Sequence, residues 1–172
     1  MFSREIKGYM NEESKKRGRK ISTRAIKFLS QKKIPFDVVE YEHEKKGAVF
    51  AAKSLGFPLG RTIKTLIVDL GSKGCIIALM PGDKSIDLKK LAAALSVKRA
   101  AMADTSTAER LTGYLVGGIS PFGTKKVLPV VMEAGLLEFD KVVINAGRRG
   151  RMLIMEPKDI LRAMNVDVLS LV

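Results

Sequence analysis

The sequence predicts an α/β fold: a mixed, mostly antiparallel curved sheet or barrel with surrounding helices. Three observations lead there. Helix-forming and strand-forming stretches do not alternate strictly, which argues against a doubly wound parallel sheet. Two β-prone runs, 62–70 and 75–80, are joined by Gly71-Ser72-Lys73-Gly74, the turn chemistry of a hairpin. Three more short β-prone stretches, near 127–132, 141–145 and 152–155, crowd the last third of the chain.

The elements follow in order. Residues 1–20 read as a basic, mobile N-terminal extension, because Glu12-Glu13-Ser14-Lys15-Lys16-Arg17-Gly18-Arg19-Lys20 has almost nothing to bury. The folded domain spans 21–172. Ser22 or Thr23 caps a first helix bearing Ala25, Ile26, Phe28 and Leu29, and Pro35 stops it. Residues 36–41 read as a strand, with Val38 and Val39 within it. A short helix at 49–55 ends at Gly56. After the hairpin, Leu88, Leu91, Ala92 and Leu95 give residues 86–95 helical spacing, with Asp87 as cap. Residues 105–110 form another helix, with Ser106 and Glu109 at capping-box spacing. Pro157 opens a last helix through Ala163.

The twelve residues Thr112-Gly113-Tyr114-Leu115-Val116-Gly117-Gly118-Ile119-Ser120-Pro121-Phe122-Gly123 hold four glycines and a proline. No regular helix survives that composition, so the stretch specifies a particular loop. Glycine admits positive φ and lets a ligand come close to the main chain. A tight structural turn uses the same residues, and both readings stay open on composition alone.

The 172 residues fit one domain, and a 46% hydrophobic fraction is enough for a core. No apolar run reaches the roughly 18 residues of a membrane span, and Met1-Phe2-Ser3-Arg4-Glu5-Ile6-Lys7 does not read as a signal peptide. A cytoplasmic location is expected. The formal net charge of +13 points to a polyanion, nucleic acid before membrane. Residues 1–20 account for +4, with seven basic and three acidic side chains, so the domain itself is basic. The tail serves either as a contact to RNA phosphates or as a solubilising segment.

Familiar catalytic sets are missing. His43 is the single histidine, flanked by charges at an expected strand end, so no histidine cluster can hold a metal. Cys75 is the single cysteine and sits in an apolar strand, the setting of a core thiol. No phosphate-binding Gly-x-x-x-x-Gly-Lys-Ser/Thr run occurs. Lys64 is more informative. Period-two alternation puts Thr62, Lys64, Leu66 and Val68 on one strand face, so the lysine either tops the core rim with its ammonium in water or enters a pocket. The turn Gly147-Arg148-Arg149-Gly150-Arg151 offers main-chain amides and guanidinium groups to a phosphate, or is a solvated hairpin turn. Lys125 and Lys126 extend the same positive surface if the two loops share an edge.

Taken together, Lys64-Thr65-Leu66, Asp87-Leu88-Lys89-Lys90, Ala103-Asp104, the glycine-rich run and Gly147-Arg148-Arg149-Gly150 stand in the order and approximate spacing of the YbaK family, trans-acting relatives of the prolyl-tRNA synthetase editing domain. The resemblance covers Ile21 to the C-terminus and leaves out the tail. It implies the curved sheet and helices already read from the residues. It also implies an activity, removal of a wrongly attached amino acid from tRNA, with no metal or organic cofactor. The partners implied are the aminoacylated 3′ end of tRNA and prolyl-tRNA synthetase, and no membrane.

Residue by residue, Lys64 matches the family's essential lysine, and Gly118, with Gly117, Ile119, Ser120 and Pro121, matches the loop lining the amino-acid pocket. Tyr41, Phe50 and Thr65 resemble pocket residues, and Lys125, Lys126, Arg148 and Arg149 are the expected tRNA contacts. The resemblance favours cysteine on tRNA(Pro), where the substrate's own thiol attacks its carbonyl; other branches remove alanine. Many members of the cysteine branch carry an acidic residue just after the Gly-Arg/Lys-Arg-Gly turn, where this chain has Met152. A non-catalytic module that binds RNA ends or docks on a synthetase is the alternative function.

Overall fold

The computed structural model describes residues 22–42 and 48–172. The basic extension and His43 therefore lie outside the described residues. Among the described residues, five helices surround two sheets. The helices are α1 (Arg24–Gln31), α2 (Ala48–Leu55), α3 (Leu88–Ala94), α4 (Thr105–Thr112) and α5 (Pro157–Ala163). The strands are β1 (Asp37–Glu40), β2 (Ile63–Asp69), β3 (Cys75–Pro81), β4 (Ala101–Met102), β5 (Val130–Glu133), β6 (Val142–Arg148), β7 (Arg151–Met155) and β8 (Val166–Leu169). One sheet has the order β1-β7-β6 and the other β4-β2-β3-β5-β8. The pairs β1–β7, β6–β7, β2–β3 and β2–β4 are antiparallel; β3–β5 and β5–β8 are parallel. A single parallel bridge, Thr62 to Val143, joins the two sheets. The mixed, mostly antiparallel architecture is the one the sequence predicts.

Local chemistry sets the element ends. Thr23 caps α1, its hydroxyl accepting from the Ile26 amide at 3.2 Å. In the β2–β3 hairpin, Gly71 and Gly74 take φ of 70° and 79°, and Asp69 Oδ1 accepts from the Gly71 amide at 2.8 Å. Asp87 caps α3 by accepting from the amides of Lys89 and Lys90. Ile86 therefore falls outside a helix that starts at Leu88, two residues later than the spacing suggests. The capping-box reading of α4 is corrected: Asp104, not Ser106, is the cap, accepting from the Thr107 amide at 2.7 Å. Two more departures are topological. The expected strand near 127 starts only at Val130, since Val127 is 99% exposed. The sequence reading also stops short of β8, which pairs with β5 at the sheet edge.

Three apolar clusters account for the layers. The main core lies between the inner faces of both sheets and the helices α1, α4 and α5, with Leu29, Ile67, Leu79, Phe122, Ile144 and Ile160 in it. The opposite face of the large sheet packs Val68, Ala78 and Met80 against Leu91 of α3. The outer face of the small sheet packs Val39, Val143 and Met152 against Ala51 of α2. Both faces of β3 are covered, so the strand is buried almost throughout. Each fully buried leucine or isoleucine is worth about 1.5–3 kcal/mol of transfer free energy.

A candidate aminoacyl-ester pocket

Among the described residues, the first half of β2 has a partner strand, β3, on one side only, because β4 pairs with Val68 and Asp69. The opposite edge opens on a hollow of about 210 Å³. Ile63, Lys64, Thr65 and Leu66 of β2 all touch it. Successive strand residues point to opposite faces, so a hollow reached by all four runs along the strand's edge. Val116, Gly117 and Ile119 of the glycine-rich loop form the facing wall, and Tyr41, Ala48, Ala51, Asn145 and Met152 complete it. The volume is below the roughly 300–1,000 Å³ of drug-sized sites, room for one small amino-acid ester.

Lys64 is half-buried at the rim, and its Nζ donates to the Lys84 carbonyl. Burial depresses its pKa, and the nearby Asp83 carboxylate partly restores it. An ammonium has three donors, so a single carbonyl leaves capacity for a ligand. The Thr65 hydroxyl is buried without a hydrogen-bond partner among the described residues. A buried, unpaired hydroxyl costs about 1–3 kcal/mol, a cost that an incoming polar group removes. Tyr41 reaches the wall from the end of β1, where its amide donates to the Gly150 carbonyl at 2.9 Å. Burial raises its phenol pKa, opposed by a hydrogen bond with the Gly150 backbone.

The loop is fixed from several sides. Glu109 Oε1 accepts from the Val116 amide at 2.9 Å, which explains why this carboxylate is absent from the α4 cap. Arg149 Nε donates to the Val116 carbonyl at 2.8 Å. Tyr114 is buried beneath, its hydroxyl donating to the Phe122 carbonyl at 2.6 Å. Gly118 lies against the β6–β7 turn: a Cβ there would fall 2.8 Å from Arg149 N and 2.9 Å from Arg148 C. The absence of a side chain is therefore required by close approach of two backbones. The Gly118 amide donates to the Leu115 carbonyl at 2.9 Å, closing a turn. No described residue accepts from the amides of Gly117 or Ile119.

Of the residues expected from sequence, Tyr41, Lys64, Thr65, Gly117 and Ile119 thus meet at one hollow, with Gly118 behind the wall. Phe50 lies on α2, and its side chain is outside the described residues. Ser120 and Pro121 lie elsewhere. Ser120 is buried and its hydroxyl accepts from the Phe122 amide at 3.3 Å. Pro121 lines a separate hollow with Phe28 and Leu128. Lys125 and Lys126 are exposed just after the loop, their amides held by the carbonyls of Thr112 and Leu111. Arg148 is exposed, whereas Arg149 spends one donor on the loop. Asn145 escaped the sequence reading of the site, although the signal used for Lys64 was there: one polar side chain between the apolar run Val142-Val143-Ile144 and Ala146. Cys75 stands apart from the hollow, and burial together with nearby Asp69 pushes its thiol pKa up. Among the described residues, no helix is long and apolar enough to cross a membrane.

Fold and pocket together define an editing domain. The family model described as aminoacyl-tRNA editing domain matches residues 42–163, and the chain belongs to that family. It is 34% identical over 145 residues to EbsC of Enterococcus faecalis, whose name gives it provisionally as a Cys-tRNA(Pro)/Cys-tRNA(Cys) deacylase; the match covers 83% of this chain and 88% of that one. It is 31% identical over 152 residues to the multifunctional Ser/Thr-tRNA deacylase ProXp-y of Escherichia coli, covering 86% and 90%. A crystal structure described provisionally as a trans-editing enzyme for prolyl tRNA synthetase superposes with a TM-score of 0.79 at 26% identity, over 86% of this chain and 94% of that one.

Proposed function

We propose that the chain is a trans-acting aminoacyl-tRNA deacylase of the cytoplasm that removes cysteine from tRNA(Pro). The observation that carries this reading is the pairing, across one small hollow, of a partly desolvated ammonium with two main-chain amides that have no acceptor among the described residues. The substrate ester places its carbonyl against Gly117 and Ile119, whose N–H groups stabilise the oxyanion; a donor in that role is worth about 3–4 kcal/mol of barrier. Lys64 holds the terminal ribose and its phosphate by charge. Gly118 acts through the turn it closes, keeping those two amides pointed inward.

The protein supplies no nucleophile in this scheme. The cysteinyl thiol, as thiolate, attacks its own carbonyl carbon. A C–S bond forms, the ester C–O bond breaks, and the thiol proton ends on the ribose oxygen, leaving a four-membered thiolactone for water to open. Positioning supplies much of the acceleration, because the ester is already reactive. A second reading is favoured by the neutral polar lining, Thr65 and Asn145 beside apolar Met152: a seryl or threonyl ester whose hydroxyl bonds to that pair and whose carbonyl is attacked by water. A panel of Cys-, Ser-, Thr-, Ala- and Pro-tRNA decides between them. Rapid loss of cysteine with sparing of cognate proline supports the first reading; release of serine or threonine alone supports the second. Tight tRNA binding with release of no amino acid leaves only a binding module.

A further inference from the structure

Another hollow, of about 410 Å³, lies at the other end of β2. Its wall is made by the β2–β3 turn and the segment between α3 and β4, and it carries Lys73, Lys98 and Arg99. No carboxylate lines it, and among the described residues none of the three cations pairs with one. Lys73 Nζ makes a single long contact, 3.4 Å, to the Leu95 carbonyl at the end of α3. All three side chains are exposed. The framing backbone is left-handed at Gly71 (φ 70°) and Ser96 (φ 52°), so both turns are sharply formed. Arg99 is anchored by β4, which begins two residues later and pairs with Val68 and Asp69.

We propose that this hollow binds a backbone phosphate of the tRNA whose 3′ end occupies the ester pocket. Unpaired cations concentrated in a concave wall attract a phosphodiester, and Arg99 supplies a planar fork for two of its oxygens. Lys64, Leu66, Val68 and Leu70 share one face of the large sheet, with Leu70 in the hollow's own wall. The two hollows therefore touch opposite ends of β2, about 20 Å apart at the usual strand rise. That span matches on the order of six stacked nucleotides. A strand entering the ester pocket at Lys64 thus meets the basic hollow upstream of its end. The contact reads no sequence; it sets the register of the acceptor arm.

The proposal rests on the tRNA-directed reading of the chain, and its test separates the two. Binding of uncharged tRNA(Pro) is measured against salt concentration for wild type and for the triple variant Lys73→Ala, Lys98→Ala, Arg99→Ala. The slope of log K against log salt should fall by about one, and affinity near 0.1 M salt by about tenfold. Deacylation of a short aminoacyl-CCA oligonucleotide should stay within twofold of wild type, while KM for the full aminoacyl-tRNA rises. The double reversal Lys73→Glu, Arg99→Glu should weaken tRNA further, with an unchanged thermal unfolding midpoint. An unaltered salt slope, an equal loss on the short oligonucleotide, or failure of the wild type to bind tRNA overturns the proposal. If the wild type cleaves no ester, the deacylase reading fails alone, and the salt series still decides the hollow.

Discussion

Lys64 is held between opposing influences, and its charge state is the first quantity to follow. Burial depresses its pKa and Asp83 raises it again. A reaction that needs the ammonium therefore loses rate as pH climbs through that depressed value, below the ordinary lysine range. Asp83→Asn removes the raising influence, so the alkaline limb of kcat/KM, corrected for spontaneous ester hydrolysis, moves to lower pH; an unmoved limb would show that Lys64 does not titrate in the rate. The linked stability runs the other way: a cation with a lowered folded pKa is charged at a cost, and that cost disappears as pH rises through the folded value. At Gly118 the constraint is spatial. A methyl group would sit within 3 Å of main-chain atoms of Arg148 and Arg149, which cannot move aside as a flexible side chain does. Gly118→Ala should cost about 1–3 kcal/mol by overpacking and lower kcat/KM at least tenfold by tilting the Gly117 and Ile119 amides. Calorimetry and single-turnover deacylation check the two effects separately.

The glycine-rich loop and the β6–β7 turn work as a clamp. Tyr114 carries the loop from below through its bond to the Phe122 carbonyl, and its ring stands where a Cβ on Gly147 would be, 2.6 Å from Cε1. Gly147 has a φ of 89°, so Gly147→Ala meets both a clash and backbone strain. Tyr114→Phe should cost about 1–3 kcal/mol, because the Phe122 carbonyl loses its donor in a buried site, and a urea titration would read this as a lower midpoint with an unchanged slope. These elements were legible because their signals are local: capping residues, turn glycines, an out-of-place lysine. The cap of α4 was a local miss, taken by Asp104 two residues before Ser106; other misses depended on partners distant in sequence. Val166-Asp167-Val168-Leu169 alternates weakly and is too short to stand out, and it becomes a strand only because β5 offers a parallel edge. The Glu133 carboxylate, accepting from the Leu171 amide at 2.5 Å, ties that segment down. The free edge of β2, which creates the pocket, follows from β4 ending early, and no residue of β2 announces it. Ser120 and Pro121 show the converse: proximity in sequence to Gly118 did not place them in the same hollow.

At the scale of the molecule, a hollow of about 210 Å³ is set in a chain of net charge +13. On the proposed reading, recognition of the ester is steric and polar, whereas affinity for the nucleic acid is electrostatic and falls with salt. Raising salt should therefore increase KM for aminoacyl-tRNA and leave kcat nearly constant, an outcome that steady-state kinetics at several salt concentrations would establish. The most direct test of the meeting between Lys64 and the loop amides is single-turnover deacylation of Cys-tRNA(Pro) by wild type and Lys64→Ala at saturating enzyme, with circular dichroism confirming that both are folded. A loss of at least a hundredfold in the folded variant is the predicted result; wild-type turnover by that variant would contradict it.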